Sequence, residues 1–301
     1  MPSPLSGKVV LITGAARGIG AETARRAAAR GARVALVGLE PERLAALAAE
    51  LGAEHRWFEA DVTDQAALDR AVSATVEAMG GIDAVFANAG IASVGTVAVS
   101  PVEALARTIE VNVIGVVRTV SATLPHVTAR RGYFLLMASA SALAPLPGMA
   151  SYSASKIAVE RFGDALRLEV THKGVQVGVA YPSWIDTDMV RSTQQDLKSF
   201  NQTLARLPGP LGKVTSLEEC ADAMVDALER RVRKVFVPGS LSRYAVIRQL
   251  ITSRWGERPT LRGAARMIPR MEAEVQALGR SFGAHTVGVP PLADIIERPA
   301  S

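Results

Sequence analysis

Short apolar runs alternate with helix-period segments along most of the chain. VVLIT (9–13), RVALV (33–37), HRWFEAD (55–61), IDAVFANAG (82–90), GYFLLMAS (132–139), VQVGVAYP (175–182) and KVFVP (234–238) read as strands. Helical patterns fall between them, at Gly18 to Arg30, 41–51, 64–79, 101–129, 152–173 and 216–230. Gly31 ends the first helix, and Pro41 stands in the first turn of the second. Near-continuous apolar runs, rather than strictly alternating ones, mark strands covered on both faces. Seven of them alternating with helices predict an α/β chain: a doubly wound, seven-stranded parallel sheet with right-handed crossovers.

The same pattern sets the organisation. Residues 1–239 form one domain. Within it, the Pro/Gly-rich LPGPLG at 207–212 reads as the end of an insertion, and 186–213 is the segment expected to cover the pocket. Residues 240–280 read as a basic helical extension. Residues 281–301, with Pro290, Pro291 and Pro299, read as extended.

Composition narrows the function classes. Of 301 residues, 49% are hydrophobic, enough for a sizeable core and against global disorder. Aromatics at 5% are too sparse to stack single-stranded nucleic acid, so no nucleic-acid partner is expected. The one cysteine, Cys220, excludes an internal disulfide framework, and the four scattered histidines show no ligand spacing, so no metal is expected. MPSPLSGK leads straight into the first strand without a targeting pattern, and no apolar run could span a bilayer, so the expected location is cytoplasmic. The net charge of +5 is uneven: residues 1–229 carry 21 Lys+Arg against 24 Asp+Glu, and residues 230–301 carry 13 against 5. The plain reading of the basic quarter is a solvated arginine face; the sharper one is an acidic partner or lipid.

Candidate chemistry begins after the first strand. Thr13-Gly14-Ala15-Ala16-Arg17-Gly18-Ile19-Gly20 joins that strand to a helix. Glycines there permit a tight turn and close backbone approach to a pyrophosphate, and the helix N-terminus adds free N–H groups and a positive dipole end. The spacing G-x3-G-x-G departs from the usual dinucleotide fingerprint G-x-G-x-x-G. It resembles the TGxxxGIG branch of the short-chain dehydrogenase/reductase family. Asn88-Ala89-Gly90, Asn112 in EVNVIG, and Ser139, Tyr152 and Lys156 in SASALAPLPGMASYSASK fit the same family. The resemblance covers about residues 5–238 and implies a Rossmann-like fold.

The resemblance also implies cofactor contacts. Gly14, Arg17, Gly18 and Ile19 would line the pyrophosphate, and Asp61 and Val62 the adenine. Asn88, Ala89 and Gly90 would pass under the ribose, and Ile185 and Thr187 would hold the nicotinamide amide. The family usually has Pro-Gly where this chain has Pro182-Ser183. The ribose-reading position falls on Gly38, where an Asp would favour NAD, and an Arg at Leu39 would favour NADP. Neither is present. Arg17 could face a 2′-phosphate, or Glu40 could take the ribose hydroxyls; NADP is the preferred expectation, NAD the other.

Tyr152 and Lys156, four residues apart on a helix, share one face. Moving a hydride between an alcohol and a nicotinamide also moves a proton, and a free tyrosine is too weakly acidic to do this efficiently near neutrality. A neighbouring ammonium would lower its pKa. Tyr152 is then the acid/base, Lys156 tunes it and holds the nicotinamide ribose, and Ser139 polarises the substrate oxygen. Ser141 competes with Ser139; the usual separation of thirteen residues from the tyrosine selects Ser139. Asn112 would hold a water leading from Lys156, as the resemblance implies.

The expected activity is an NAD(P)-dependent oxidoreductase interconverting a secondary alcohol and a ketone or aldehyde. Met189, Leu197, Phe200 and Leu204 in the covering segment, with Ala142, Leu143, Leu146, Met149 and Trp184, point to a hydrophobic substrate. A non-catalytic dinucleotide-binding scaffold or redox sensor is the alternative, against which the four catalytic positions stand. A sugar-nucleotide epimerase or dehydratase fits the glycine spacing less well. The family implies a homo-oligomer, dimer or tetramer, paired through the helices at 101–129 and 152–173. The basic segment 241–280 could touch a membrane peripherally. Its arginines step by four residues, but Pro259 and Pro269 are expected to interrupt the helix.

Overall fold

The structure, a computed structural model, describes residues 2–207, 209–280, 282, 283 and 286. Each of the seven apolar runs forms a strand: β1 (Val9–Thr13), β2 (Arg33–Gly38), β3 (Arg56–Glu59), β4 (Ala84–Ala87), β5 (Tyr133–Met137), β6 (Gln176–Pro182) and, after the short pair β7 (Trp184–Ile185) and β8 (Val214–Thr215), β9 (Lys234–Val237). They form one parallel sheet in the order β3-β2-β1-β4-β5-β6-β9. The order reverses between β1 and β4. A parallel sheet with helices on both sides opens a crevice there, at the carboxyl ends of the strands.

Period-two alternation sorts each strand into two layers. Val9 and Leu11 face a core shared with α3 (Gln65–Met79), α5 (Gly115–Ala129) and α6 (Ala150–Val170). Val10 and Ile12 face the opposite core, built with α1 (Gly18–Ala29), α2 (Pro41–Leu51) and α9 (Leu217–Arg230). Helix starts follow local chemistry: Asp64 accepts from the N–H of Ala67 at 3.0 Å, and Ser216 from that of Glu219 at 3.1 Å. β3 departs from the buried-strand expectation. It pairs only with β2, at the sheet's edge, and its Arg56, Trp57 and Glu59 are exposed.

The helical pattern at 101–129 resolves into α4 (Val102–Ile109), a π-helical turn (Glu110–Ile114) and α5. The covering segment forms α7 (Asp188–Asp196) and α8 (Lys198–Arg206), then a short turn at Gly209–Gly212.

The C-terminal extension forms α10 (Ser242–Ile251) and α11 (Arg258–Leu278). Contrary to expectation, neither proline breaks α11. Pro259 lies in the first turn, where its missing N–H costs nothing. Pro269 lies on the exposed side, as does Ala265 one turn earlier, the residue whose carbonyl loses its intrahelical partner. The opposite side is held by packing: Met271 and Val275 join Leu197, Phe200 and Leu204 in a third apolar cluster. Arg280 pairs with Asp196 at 2.7 Å, and Glu274 accepts from the Ser199 hydroxyl at 2.6 Å. The extension is therefore fastened across the covering segment. The expected extended stretch at 281–301 lies outside the described residues, apart from 282, 283 and 286. Among the described residues no helix is long and apolar enough to cross a membrane.

Candidate active site

A continuous cleft of about 540 Å³ runs along the carboxyl edge of the sheet. It is lined by every residue expected to touch a cofactor: Gly14, Arg17, Gly18, Ile19, Gly38, Asp61, Val62, Asn88, Ala89, Gly90, Tyr152, Lys156, Ile185 and Thr187. Ser139 and Ser141 line it too.

At one end the β1–α1 loop makes a bare backbone cradle. A Cβ on Gly14 would stand 2.8 Å from Ala89 Cα, and one on Gly20 only 2.4 Å from Gly14 O. Side chains cannot enter, so the loop is held by polar contacts instead. Asn88 Nδ2 donates to Thr13 O at 3.0 Å and Gly14 O at 3.2 Å. Thr13 Oγ1 accepts from the N–H groups of Asn88 and Ala89 at 3.1 and 3.2 Å. No side chain caps α1, which leaves its first-turn N–H groups and positive end to an anion. A dinucleotide pyrophosphate fits this cradle. Thr13 was not singled out as a functional position; its signal is a hydroxyl at the last residue of a buried strand.

The adenosine end differs from expectation. Arg17 Nε donates to Glu40 Oε2 at 2.7 Å, and its Nη2 bonds Glu40 Oε1; Asp188 adds a looser contact at 3.8 Å. These partners hold the guanidinium charged. The expectation that Arg17 faces a 2′-phosphate loses its support, because Glu40 occupies it. Asp61 is likewise committed: it accepts from the N–H and hydroxyl of Thr63, both at 2.8 Å, and from Arg107 at 2.9 Å. Those bonds outweigh its burial and hold its pKa below the usual value. Arg107 itself lines the cleft.

The catalytic candidates meet at the centre. β5 ends at Met137 and delivers Ser139; α6 begins two residues before Tyr152 and carries Lys156 one turn on. The Ser139 hydroxyl donates to Pro182 O at 3.4 Å and lines the cleft together with Tyr152. The N–H of Ser141 donates to Ser139 Oγ at 3.2 Å, while the Ser141 hydroxyl is buried with no partner among the described residues. The Ser183 N–H donates to Val237 O at 2.8 Å, which fixes the backbone after Pro182 without the family's glycine.

Lys156 is almost wholly buried. Its amine donates to Met137 O at 2.9 Å and lies 5.5 Å from the centre of the Tyr152 ring. Burial pulls its pKa down to about 8. Burial also raises that of Tyr152, against the smaller opposing effect of the Ser139 hydroxyl. The expected lowering of Tyr152 by a strong neighbouring ammonium is thus not the balance in the protein alone. The same desolvation that penalises the phenolate weakens the ammonium.

Asn112 stands just outside the cleft, fully buried in the π-helical turn. Its Oδ1 accepts from the Ile91 N–H at 2.8 Å, and its Nδ2 donates to Ile91 O and Ser155 Oγ at 2.9 and 3.0 Å. It clamps the strand-end loop carrying Gly90 to α6.

The far end of the cleft is apolar. Leu146, Met149, Trp184, Phe200, Leu204 and Met271 are among its walls, and Tyr244, Ile251 and Thr260 of the extension reach it. The sequence reading placed the covering segment here but not the extension, whose fold-back is a tertiary fact.

A family model for short chain dehydrogenases matches residues 8–198. The chain is 33% identical over 217 residues to the 2,5-dichloro-2,5-cyclohexadiene-1,4-diol dehydrogenase LinX of Sphingobium indicum, covering 70% of this chain and 86% of that protein. It is 33% identical over 212 residues to a 3-alpha-(or 20-beta)-hydroxysteroid dehydrogenase of Mycobacterium tuberculosis, covering 70% and 81%. Glycine betaine reductase ATRR of Emericella nidulans is 32% identical over 232 residues, 75% of this chain, which spans only 18% of that much longer protein. Among solved structures, a 3-ketoacyl-(acyl-carrier-protein) reductase from Brucella melitensis complexed with NADH superposes with a TM-score of 0.70 at 27% identity, covering 77% of this chain and 97% of that one.

Proposed function

Given that this chain belongs to the short-chain dehydrogenase/reductase family, we propose that it is a nicotinamide-dependent oxidoreductase interconverting an apolar secondary alcohol and its ketone, with Tyr152 as the acid/base. The observation that carries this reading is the meeting of Ser139, Tyr152 and Lys156 between a backbone phosphate cradle and an apolar chamber, in one cleft.

A bound nicotinamide dinucleotide supplies the hydride donor or acceptor. Gly14, Gly18 and Ile19 hold its pyrophosphate, and Ile185 and Thr187 border its nicotinamide end. Val62 packs beside the adenine, with Gly38 and the clamped Asp61 at its edge. In oxidation, Tyr152 Oη takes the alcohol proton; in reduction it returns one to the carbonyl oxygen. Ser139 Oγ donates to that oxygen, and Lys156 holds the nicotinamide ribose and sets the charge beside Tyr152. The unpartnered Ser141 hydroxyl supports a second contact to the substrate.

NAD is the favoured cofactor. Glu40 neutralises Arg17, and its carboxylate on the cleft wall would repel a 2′-phosphate on the ribose. The chemical class of the substrate follows from the chamber walls, and the hydroxysteroid relative acts on a substrate of that class by its name. The chain assembles as a homo-oligomer through the helices of 101–129 and through α6, where Leu168 is exposed; sedimentation at 31.7 kDa alone would remove that part.

The test follows nicotinamide absorbance with NAD or NADP over a panel of secondary alcohols and ketones of increasing apolar size. Turnover rising with apolar size, and faster with NAD, supports the reading. No turnover of any member with either cofactor overturns it.

A further inference from the structure

Helix α10 is amphipathic in the inverted sense. Its inward side, with Tyr244 and Ile251, reaches the cleft, and Arg248 on that side pairs with the buried Glu160 at 2.7 Å. Its outward stripe, at i, i+3, i+4 and i+7, is Arg243, Val246, Ile247 and Leu250. Val246 is 85% exposed and Leu250 67%. The elbow to α11 continues this face with Trp255 at 68% and Leu261 at 58%. Arginines ring it: Arg254 and Arg258, which lies 4.0 Å over the Trp255 ring, then Arg262, Arg266 and Arg270 down the exposed side of α11. Glu257 is the one carboxylate in residues 240–271, against seven arginines.

We propose that this elbow is a docking surface for an anionic lipid bilayer, set at the mouth of the substrate chamber. Apolar side chains that protrude among cations with no ion-pair partner among the described residues match an interface of acyl chains beneath anionic headgroups. Trp255 under Arg258 is an amphipathic anchor of the type that sits at headgroup depth. A second copy of this chain is a poor occupant, since a two-fold contact would set the same arginines against each other. Nucleic acid would satisfy the arginines and leave Val246, Ile247, Leu250 and Leu261 in water. The position adds a consequence: Ile251 and Thr260, which flank the elbow, also line the chamber, so docking sets the chamber wall against the lipid. An apolar alcohol or ketone then enters from the bilayer. That consequence rests on the proposed reaction, whereas docking does not.

The experiment is flotation of the full chain with phosphatidylglycerol/phosphatidylcholine vesicles, with pure phosphatidylcholine as the second arm, at low and high salt. The expected result is flotation with the anionic vesicles only, released by salt as the Debye length shrinks, with a blue shift of tryptophan emission. Leu250→Asp, and separately the pair Arg262→Glu and Arg266→Glu, should each lower flotation about tenfold or more. These residues are exposed and outside the cleft, so thermal stability and turnover of a water-soluble ketone should stay unchanged. Failure to float at low salt overturns docking, as does equal flotation on neutral vesicles or flotation indifferent to both variants. Self-association that Leu250→Asp abolishes without vesicles, or DNA retention without flotation, also overturns it. Flotation needs no turnover, so docking and the proposed reaction can fail separately.

Discussion

Arg17 of the glycine loop and Glu40, two residues beyond β2, hold each other in a two-pronged ion pair at the adenosine end of the cleft. On the proposed reading, the choice between NAD and NADP falls to Glu40. Glu40→Gln keeps a polar side chain but removes the carboxylate and frees Arg17 for a 2′-phosphate. The expected outcome is a rise of about tenfold or more in the ratio of kcat/KM for NADP over NAD. Gly38→Asp should move the ratio the other way; a Cβ there meets only ordinary contacts at 3.7 Å, so the variant should fold. Steady-state kinetics with both cofactors checks this, and an unmoved ratio means the pair does not border the ribose.

Asn112→Ala removes three hydrogen bonds at once and takes from the part-buried N–H and C=O of Ile91 their side-chain partner. Each orphaned group costs about 1–3 kcal/mol. The expected loss is about 3 kcal/mol of stability, together with weaker cofactor binding as the loop at Gly90 loosens. Denaturant unfolding gives the first quantity and cofactor titration the second. A neutral effect on both would remove the clamp.

Lys156 works against stability at neutral pH. Its pKa falls from the ordinary 10.5 to about 8 in the fold, so the folded state binds fewer protons than the unfolded state between those values. Stability therefore rises with pH across that window, and the penalty is present in full below about pH 8. The penalty is on the order of 3 kcal/mol, and losing the bond to Met137 O offsets about 1 kcal/mol of any relief. Lys156→Met should then raise Tm by several degrees near neutrality while abolishing turnover, with the gain fading towards pH 10. Calorimetry across pH checks it; a gain that does not change with pH contradicts the assigned cause.

The sheet and the catalytic centre were legible because their signals are local. Seven apolar runs, a glycine loop at a strand end, and a tyrosine and lysine one turn apart each lie within a single element or its edge. What escaped depends on partners distant in sequence. Nothing near Arg17 says that Glu40 will occupy it, 23 residues on. The π-helical turn at Asn112 has the periodicity of an ordinary helix, and its bonds to the loop at Ile91 reach across 21 residues. Pro269 predicts a break that the packing of Met271 and Val275 on α8 overrides. Of the apolar residues of α10, Tyr244, Ala245 and Ile251 lie inward while Val246, Ile247 and Leu250 stay exposed; periodicity marks a face and not what covers it.

The central claim is that Tyr152 moves the proton. The most direct measurement is kcat for the preferred alcohol in Tyr152→Phe, alongside cofactor affinity in the same variant. The ring remains to line the cleft, and only the phenolic oxygen is lost. The account predicts a fall in kcat of about 10²–10⁴-fold with cofactor affinity nearly unchanged. Turnover within a few-fold of the parent protein would contradict it.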